Sequence, residues 1–509
     1  MDQWVLANTI RLRIWGVLIA GLIVAIWIGQ QTADNPLYIP VYLVAGALFL
    51  ILWILPDDWF WLMCAASLFF TGNFNFLPAD LRPYEILAIV GVGRFILHHV
   101  ILKHEGLKSG PKFELYLILG FMSVIVLHGL KTRFGMKILG SPVWGGRPYV
   151  SAILSLLVYF ILQTMPMDLK KWRWLPIVVF IPALFDLFTG LLTHYVPSTI
   201  NLIYHFYSAV NISGIEGVDV TERIGALASF GSPLVLCVLA YISLRRLFIP
   251  KTWPAAVLLV VGFALCLQGG YRSSVLNVAL IIAAASLRDF KLWAWVPFGL
   301  FVVFMFGLAV LHSNEVITLP LQVQRGLVFL PGKWDTEMQD NADGSNKFRF
   351  DIWDRWSERY FANEPFFGRG FGFDQSKLNK SEEYNIGDTY EAGMDNFTLT
   401  QNLHNGFLSS IDSIGIIGCL FFITWVMTTL ARVVLVLLRR DTNRQGPALR
   451  WLTVYLFMWS LSFWAGSLQF ATFLPTQMVL AGLLVRLWQE YEHEAKRSHL
   501  NKTATAVAA

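Results

Sequence analysis

Residues 406–438 read GFLSSIDSIGIIGCLFFITWVMTTLARVVLVLL, a run in which only Asp412 and Arg432 carry charge. A hydrocarbon core about 30 Å thick takes about 20 helical residues to cross, so this stretch is long enough to span a bilayer. Comparable apolar runs recur along the chain, at 9–29, 36–55, 59–71, 82–100, 112–130, 149–165, 173–190, 226–244, 252–268, 274–288, 291–311, 449–468 and 472–488. With 406–438 they make about fourteen expected spans. The shortest, 59–71 and 274–288, could be re-entrant or tilted. Backbone amides in lipid must bond internally, so the expected fold is all-α, a polytopic helical membrane protein. No stretch shows the alternation of a membrane barrel.

Composition agrees. The 509 residues are 56% hydrophobic and 14% charged, whereas a soluble domain carries about a quarter of its residues as charges. The first apolar run ends at Gln30-Gln31-Thr32 without a small-residue cleavage site, so it reads as a retained span. Cys64, Cys237, Cys266 and Cys419 all fall inside apolar segments and read as packed small hydrophobes. No Cys-x-x-Cys or His-Glu-x-x-His occurs, so no metal site is expected.

Orientation follows from the basic connections. These are 101–112, Lys170-Lys171-Trp172-Arg173, Arg245-Arg246 with Lys251, Arg288-Asp289-Phe290-Lys291, 439–444, and the tail around Lys496-Arg497. Fourteen spans put all of them on the side of the N-terminus, which the positive-inside rule makes cytoplasmic. That topology accounts for the basic balance without nucleic acid. The expected organisation is an N-terminal bundle over 1–311, a large periplasmic loop with short helices over 312–405, C-terminal membrane helices over 406–488, and a cytoplasmic tail over 489–509. Within the loop, 348–363 has the pattern of an amphipathic surface helix, and 380–398 reads as an acidic, irregular lid.

Lys131, Arg133, Lys137, Arg147, Arg223, Arg272, Arg325, Arg349 and Arg355 fall on the outer face, against that rule. Charges near lipid must pair, snorkel or face water, and such residues often mark function. Arg272, in Gly269-Gly270-Tyr271-Arg272-Ser273-Ser274, has least room for solvation. A guanidinium fork suits phosphate oxygens; pairing with an outward acid is the structural alternative. A cluster of such arginines implies an anionic ligand. His404, in Gln401-Asn402-Leu403-His404-Asn405, stands where the loop re-enters the membrane and can exchange a proton near neutral pH. Pro365, Gly368, Gly370 and Gly372 read as a tight turn or a nest that exposes amides to an anion. The loop lacks a Lys-Ser/Thr ending and is no nucleotide loop.

Arg349-Phe-Asp-Ile-Trp353, Asn363-Glu-Pro365-Phe-Phe-Gly368-Arg-Gly370-Phe-Gly372, His404-Asn405-Gly-Phe-Leu408 and Ser413-Ile-Gly415-Ile-Ile-Gly418 occur in that order. Together they resemble the motifs of the O-antigen ligase and O-antigen or exopolysaccharide polymerase superfamily. Arg223-Ile-Gly225 and Tyr271-Arg272-Ser273 resemble its further extracytoplasmic arginine positions. The resemblance implies a metal-independent glycosyltransferase of the C-type membrane architecture, with no cofactor, in the bacterial inner membrane. It implies an undecaprenyl-diphosphate-linked oligosaccharide donor and a lipid-linked glycan or lipid A core as acceptor. Carried over, Arg272 and Arg349 hold the donor diphosphate, Arg223 is a further contact, and His404 is the essential histidine. Trp353, Pro365, Gly368, Gly370, Gly372 and Asn405 shape the loop. One departure stands out: the family often has a glutamate near the place of Ser413, whereas the acid here is Asp412.

On chemical grounds the expectation is an inverting transfer, with His404 assisting the acceptor hydroxyl and fixed guanidinium groups stabilising the leaving diphosphate. The large span count exceeds that of the family's ligases and favours a polymerase, with O-antigen ligase the alternative. A transporter of lipid-linked oligosaccharide is the rival from another class. Transporters often show internal repeats, which this sequence lacks.

Overall fold

The computed structural model describes residues 46–48, 50–74, 81–97, 112–136, 141, 143, 145–208, 225–247, 249–373, 389–439, 445–464 and 468–508. The span expected at 9–29, most of 36–55, and Arg223 lie outside them.

The described chain is helical throughout apart from one short ladder. Helices α1 (Asp57–Ser67), α2 (Pro83–Phe95), α3 (Lys112–Lys131), α4 (Gly146–Thr164), α5 (Leu175–Tyr195), α6 (Gly225–Tyr241), α7 (Trp253–Gln268), α8 (Arg272–Phe290) and α9 (Trp295–Ser313) come first. Three shorter or more polar helices follow, α10 (Leu321–Leu327), α11 (Thr336–Trp356) and α12 (Thr389–Leu399). The chain closes with α13 (Gly406–Leu438), α14 (Pro447–Trp464) and α15 (Phe470–Ala508). Two-residue strands β1 (Asn73–Phe74) and β2 (Tyr207–Ser208) pair antiparallel, Asn73 opposite Ser208.

The expectation of about fourteen membrane spans is corrected. Among the described residues, 7 helices are long and apolar enough to cross a membrane. They are α3, α4, α5 (with the turn before it, Leu169–Tyr195), α7 (as Pro250–Gln268), α9, α13 and the Phe470–Arg497 part of α15. Two of the other seven, 9–29 and most of 36–55, lie outside the described residues, and for the remaining five the reasons are length and polarity. At 1.5 Å per residue, α1 and α2 reach only about 16 and 20 Å, short of a bilayer core. Helix α6, at 17 residues, is apolar but just short. Helix α8 has the length but begins at Arg272 and carries Arg288-Asp289 in its last turn. Helix α14 alternates its apolar residues with Arg450, threonine, serines and tryptophans. Both α8 and α14 are packed inside the bundle, against each other and against α6 and α13.

Two apolar clusters hold the bundle. The larger joins α1, α2, α4, α6, α8, α14 and α15. The smaller is aromatic and gathers α3, α13, α14 and α15. In it Phe422 meets Phe121 and Phe470 edge to face, with centroids 5.5 and 4.9 Å apart, and Phe463 meets Phe473 at 4.3 Å. Offset and edge-on rings of this kind add attraction beyond buried area.

The two ends of the bundle differ. At one end three of the basic connections converge. Arg288, fully buried, forks onto Asp289 and the Leu239 carbonyl. Asp289 also accepts from the Leu244 amide at 2.7 Å, Lys291 donates to the Leu437 carbonyl, and Arg439 pairs with Glu492. The other end carries the first residues of α4, α8, α13 and α15, with the segment holding α10–α12.

Candidate functional site

Helix α13 is not continuous. Gly415 takes φ 65° and ψ −179° inside it, a backbone region essentially closed to side chains. The break leaves backbone groups without helical partners, and the chain after α11 supplies them. The amides of Arg369 and Gly370 donate to the carbonyls of Asp412 and Ser413, at 2.8 and 3.1 Å. In return the amides of Ile416 and Ile417 donate to the carbonyls of Pro365 and Phe366. Gly368, at φ 72°, is forced by the same contact, because a Cβ there would lie 2.6 Å from the Asp412 oxygen. The motif glycines therefore suture a broken helix. The amides of Arg369 and Gly370, expected to be open to an anion, are already taken.

Asp412 has a similar explanation. Its carboxylate, buried, accepts two bonds from Arg369 Nε (2.9 and 3.0 Å), one from Nη2 (2.8 Å), and one from Trp356 Nε1 (2.8 Å). The Arg369 guanidinium also lies 3.9 Å from the centre of the Tyr360 ring. The acid that departs from the family pattern thus fastens the glycine loop and the end of α11 to α13.

His404 sits at the end of a constrained turn. It has φ 47°, and Gln401 in the same turn has φ 63°; such non-glycine conformations are uncommon and concentrate at functional sites. The surroundings hold the turn. Trp353 Nε1 donates to the Leu403 carbonyl at 2.7 Å, and Leu403 is fully buried. Asn405 caps α13 through its side chain on the Leu408 amide, 3.1 Å. Gln401 Nε2 reaches the Gly370 carbonyl, and the Phe397 ring lies 5.2 Å from the imidazole. Burial, and secondarily the Arg349 guanidinium, lower the His404 pKa.

A cavity of about 650 Å³ opens beside this turn. His404, Arg349 of α11, Arg272 at the start of α8 and Arg325 of α10 all line it. Its deeper wall is apolar, built from Val275, Leu276 and Ala279 of α8 and Phe301, Met305 and Phe306 of α9. One cavity thus joins three guanidinium groups and one imidazole to a greasy slot. Asn341, which accepts from Arg325, and Ser345 add polar groups that sequence reading passed over; they face the cavity one helical turn apart, on the face of α11 that also carries Arg349.

Other sequence expectations divide. Arg355 pairs with Glu391 and with Asp395 (2.8 Å), and Arg359 with Asp395 (2.7 Å). These pairs hold α12 on α11, so the part of the expected irregular lid at 389–398 is an ordered helix; 380–388 lie outside the described residues. The expected amphipathic helix over 348–363 begins earlier, at Thr336, and leaves α-geometry after Trp356. Arg147 pairs with Glu85. Gly372 and Pro365 lie in the suturing loop. Among the described residues no group of three or more His, Cys, Asp or Glu is placed to hold a metal ion.

Residues 256–423, about a third of the chain, match a family model described as O-antigen ligase. The matched region begins in α7, runs through the arginine-lined cavity and the His404 turn, and ends in α13. It supports the broad likeness to the O-antigen ligase and polymerase superfamily. No curated protein sequence matches the chain.

Proposed function

We propose that this protein transfers a glycan from undecaprenyl diphosphate to lipid A core, as an inverting, metal-independent O-antigen ligase. The observation that carries this reading is the convergence of Arg272, Arg325, Arg349 and His404 on one cavity whose far wall is apolar. The apolar slot between α8 and α9 suits a polyprenyl chain, and the guanidinium groups suit its diphosphate. Arg223 is a further diphosphate contact on the resemblance alone.

In the proposed reaction an acceptor hydroxyl gives its proton to His404 and attacks the anomeric carbon. The bond from that carbon to the diphosphate oxygen breaks, and the electron pair leaves with the diphosphate. Arginines held in a partly dehydrated cavity stabilise the growing charge without reorganising. The lowered pKa of His404 keeps its imidazole neutral and ready to accept the proton. Attack opposite the leaving group inverts the anomeric centre. The end rich in basic connections would face the cytoplasm and the site the periplasm, in line with the positive-inside rule.

Two considerations favour the ligase over a polymerase. The matched family is described as O-antigen ligase, and the large span count that favours a polymerase is not found among the described residues. The test is reconstitution in proteoliposomes with an undecaprenyl-diphosphate oligosaccharide and lipid A core. Transfer to the core, abolished in Arg349→Ala and His404→Ala, is the expected result. A ladder of lengthened lipid-linked glycan without core would replace the ligase by a polymerase. Absence of any transfer, with donor crossing the membrane, would point to a transporter.

A further inference from the structure

A second cavity, about 230 Å³, lies on the other side of the His404 turn. Thr400 and Gln401 line it, while His404 lines the first cavity. Three residue steps bridge at most about 11 Å, so the two cavities share this turn as a wall. The starts of α2, α4 and α15 converge on it, bringing Arg82, Glu85, Arg147 and Gln469 together.

The charges in this cavity do not balance among the described residues. Glu85 is fully buried and already saturated. It accepts Arg147 Nε on both oxygens (3.2 Å each), the Ser151 hydroxyl, and the Arg82 amide at 2.8 Å. Arg147 also donates to Asn73 Oδ1 at 2.7 Å. The Arg82 Nε is buried with no hydrogen-bond partner among the described residues. Two guanidinium groups therefore face one carboxylate that is already occupied. Burial and then the neighbouring Arg147 act against the charge on Arg82, and Glu85 offsets them only in part, leaving a cost that a bound anion would relieve. The residual charge of one matches a carboxylate better than a dianionic phosphate, and the fork geometry suits a planar carboxylate.

The remaining walls suit a carbohydrate. Thr400, Gln401, Gln469 and Thr472 offer hydroxyl and amide groups, and Phe373 offers ring surface, while Phe371 and Phe470 are buried behind it. Polar groups of this kind fix orientation, and the aromatic surface covers the apolar face of a ligand.

We propose that this cavity binds a carboxylate-bearing sugar residue of the acceptor glycan, with Arg82 as its principal partner. The sugar would lie across the His404 turn from the donor diphosphate, presenting a neighbouring hydroxyl to the imidazole. The word acceptor rests on the transferase reading above; the binding of an acidic sugar does not.

The experiment uses the full chain in lipid nanodiscs and titration calorimetry. The probes are a tetrasaccharide with a terminal glucuronate and the same tetrasaccharide as its methyl ester. The acid should bind at least about tenfold more tightly than the ester, the scale of one charge-assisted bond. Arg82→Gln should erase that difference and Arg82→Lys should keep part of it. Glu85→Gln, which removes the competing carboxylate, should widen it, an opposite sign that general damage to the fold would not produce. Arg349→Ala should leave it unchanged. Equal affinity for the two probes, no binding of either, or a difference that survives Arg82→Gln would overturn the proposal. Competition between the acid and the undecaprenyl-diphosphate oligosaccharide would overturn its assignment to the acceptor. If transfer fails in proteoliposomes while discrimination persists, the transferase reading falls and the acidic-sugar site stands; the reverse outcome sinks only this site.

Discussion

His404 combines a strained backbone, partial burial and a nearby cation, and the last two act on its proton in the same direction. Burial disfavours the imidazolium, and Arg349 repels it, so its pKa falls below the ordinary value of about 6.5. A base works in its deprotonated form, which is lost as pH drops through the folded pKa. The acid limb of kcat/KM for glycan transfer should therefore lie below pH 6.5. In Arg349→Gln the residual activity should have its acid limb shifted to higher pH, because one repelling charge is gone. An unchanged limb in that variant would mean that His404 is not the titrating base. Asp412 makes a different kind of prediction. It is the buried acceptor of Arg369 and Trp356, and breaking a buried pair by removing one partner costs about 3–5 kcal/mol. Asp412→Ala should lower the unfolding temperature of the purified protein by several degrees. Arg369→Met with Asp412→Leu should recover part of the loss, since neither charge is then left buried alone.

Among the elements, α13 is where motif and mechanism meet. Its first turns carry Asn405, Asp412 and Ser413, its break lies at Gly415, and its far end reaches Leu438. Gly415→Ala would put a Cβ against the Phe366 carbonyl and an L-residue in a conformation it avoids. The loop carrying Gly368 and Gly370 should detach, and limited proteolysis near Arg369 should become faster than in the parent chain. Asn405→Ala removes only the cap on Leu408, about 1 kcal/mol, so a modest fall in unfolding temperature is expected, with transfer reduced because the cap adjoins His404. The glycines were legible in the sequence as special backbone positions. Their purpose was not, because it depends on a helix break that hydropathy reads straight through: 406–438 is apolar on both sides of Gly415.

For the whole molecule, the span count is where sequence and structure part most clearly. Apolar windows identify stretches that can be buried, but their ends are set by where the helices stop and by the polar residues they carry, as Arg272 and Arg288-Asp289 in α8 and Arg450 in α14. Helices α8 and α14 pack inside the bundle, and α1 and α2 are too short to cross it. Three of the basic connections meet at one end in direct contacts among Leu244, Arg288, Asp289, Lys291, Leu437, Arg439 and Glu492, while 101–111 and 440–444 lie outside the described residues. Orientation can be read by labelling. Cys64, Cys266 and Cys419 are buried, so background at these sites should be low. Gly344→Cys, on exposed α11, should react with an impermeant maleimide in intact spheroplasts, and Glu494→Cys only after lysis. The reverse pattern would invert the proposed orientation and remove the periplasmic site.

Composition and hydropathy by themselves determined an all-helical membrane chain, because lipid admits few other backbone solutions and 56% hydrophobic residues leave no soluble one. The positive-inside rule marked Arg272 and Arg349 as basic residues on the disfavoured face, and His404 stood out where the large loop re-enters the membrane. Only the tertiary structure could bring those three to one cavity with Arg325, since they come from α8, α10, α11 and the turn before α13. It also separated the arginines by task. Arg355 and Arg369 are held by acids that lie about 36 to 43 positions further along the chain, whereas Arg82 meets a carboxylate that Arg147 already occupies. Pairing over such distances is set by how helices pack, and local sequence carries no record of it.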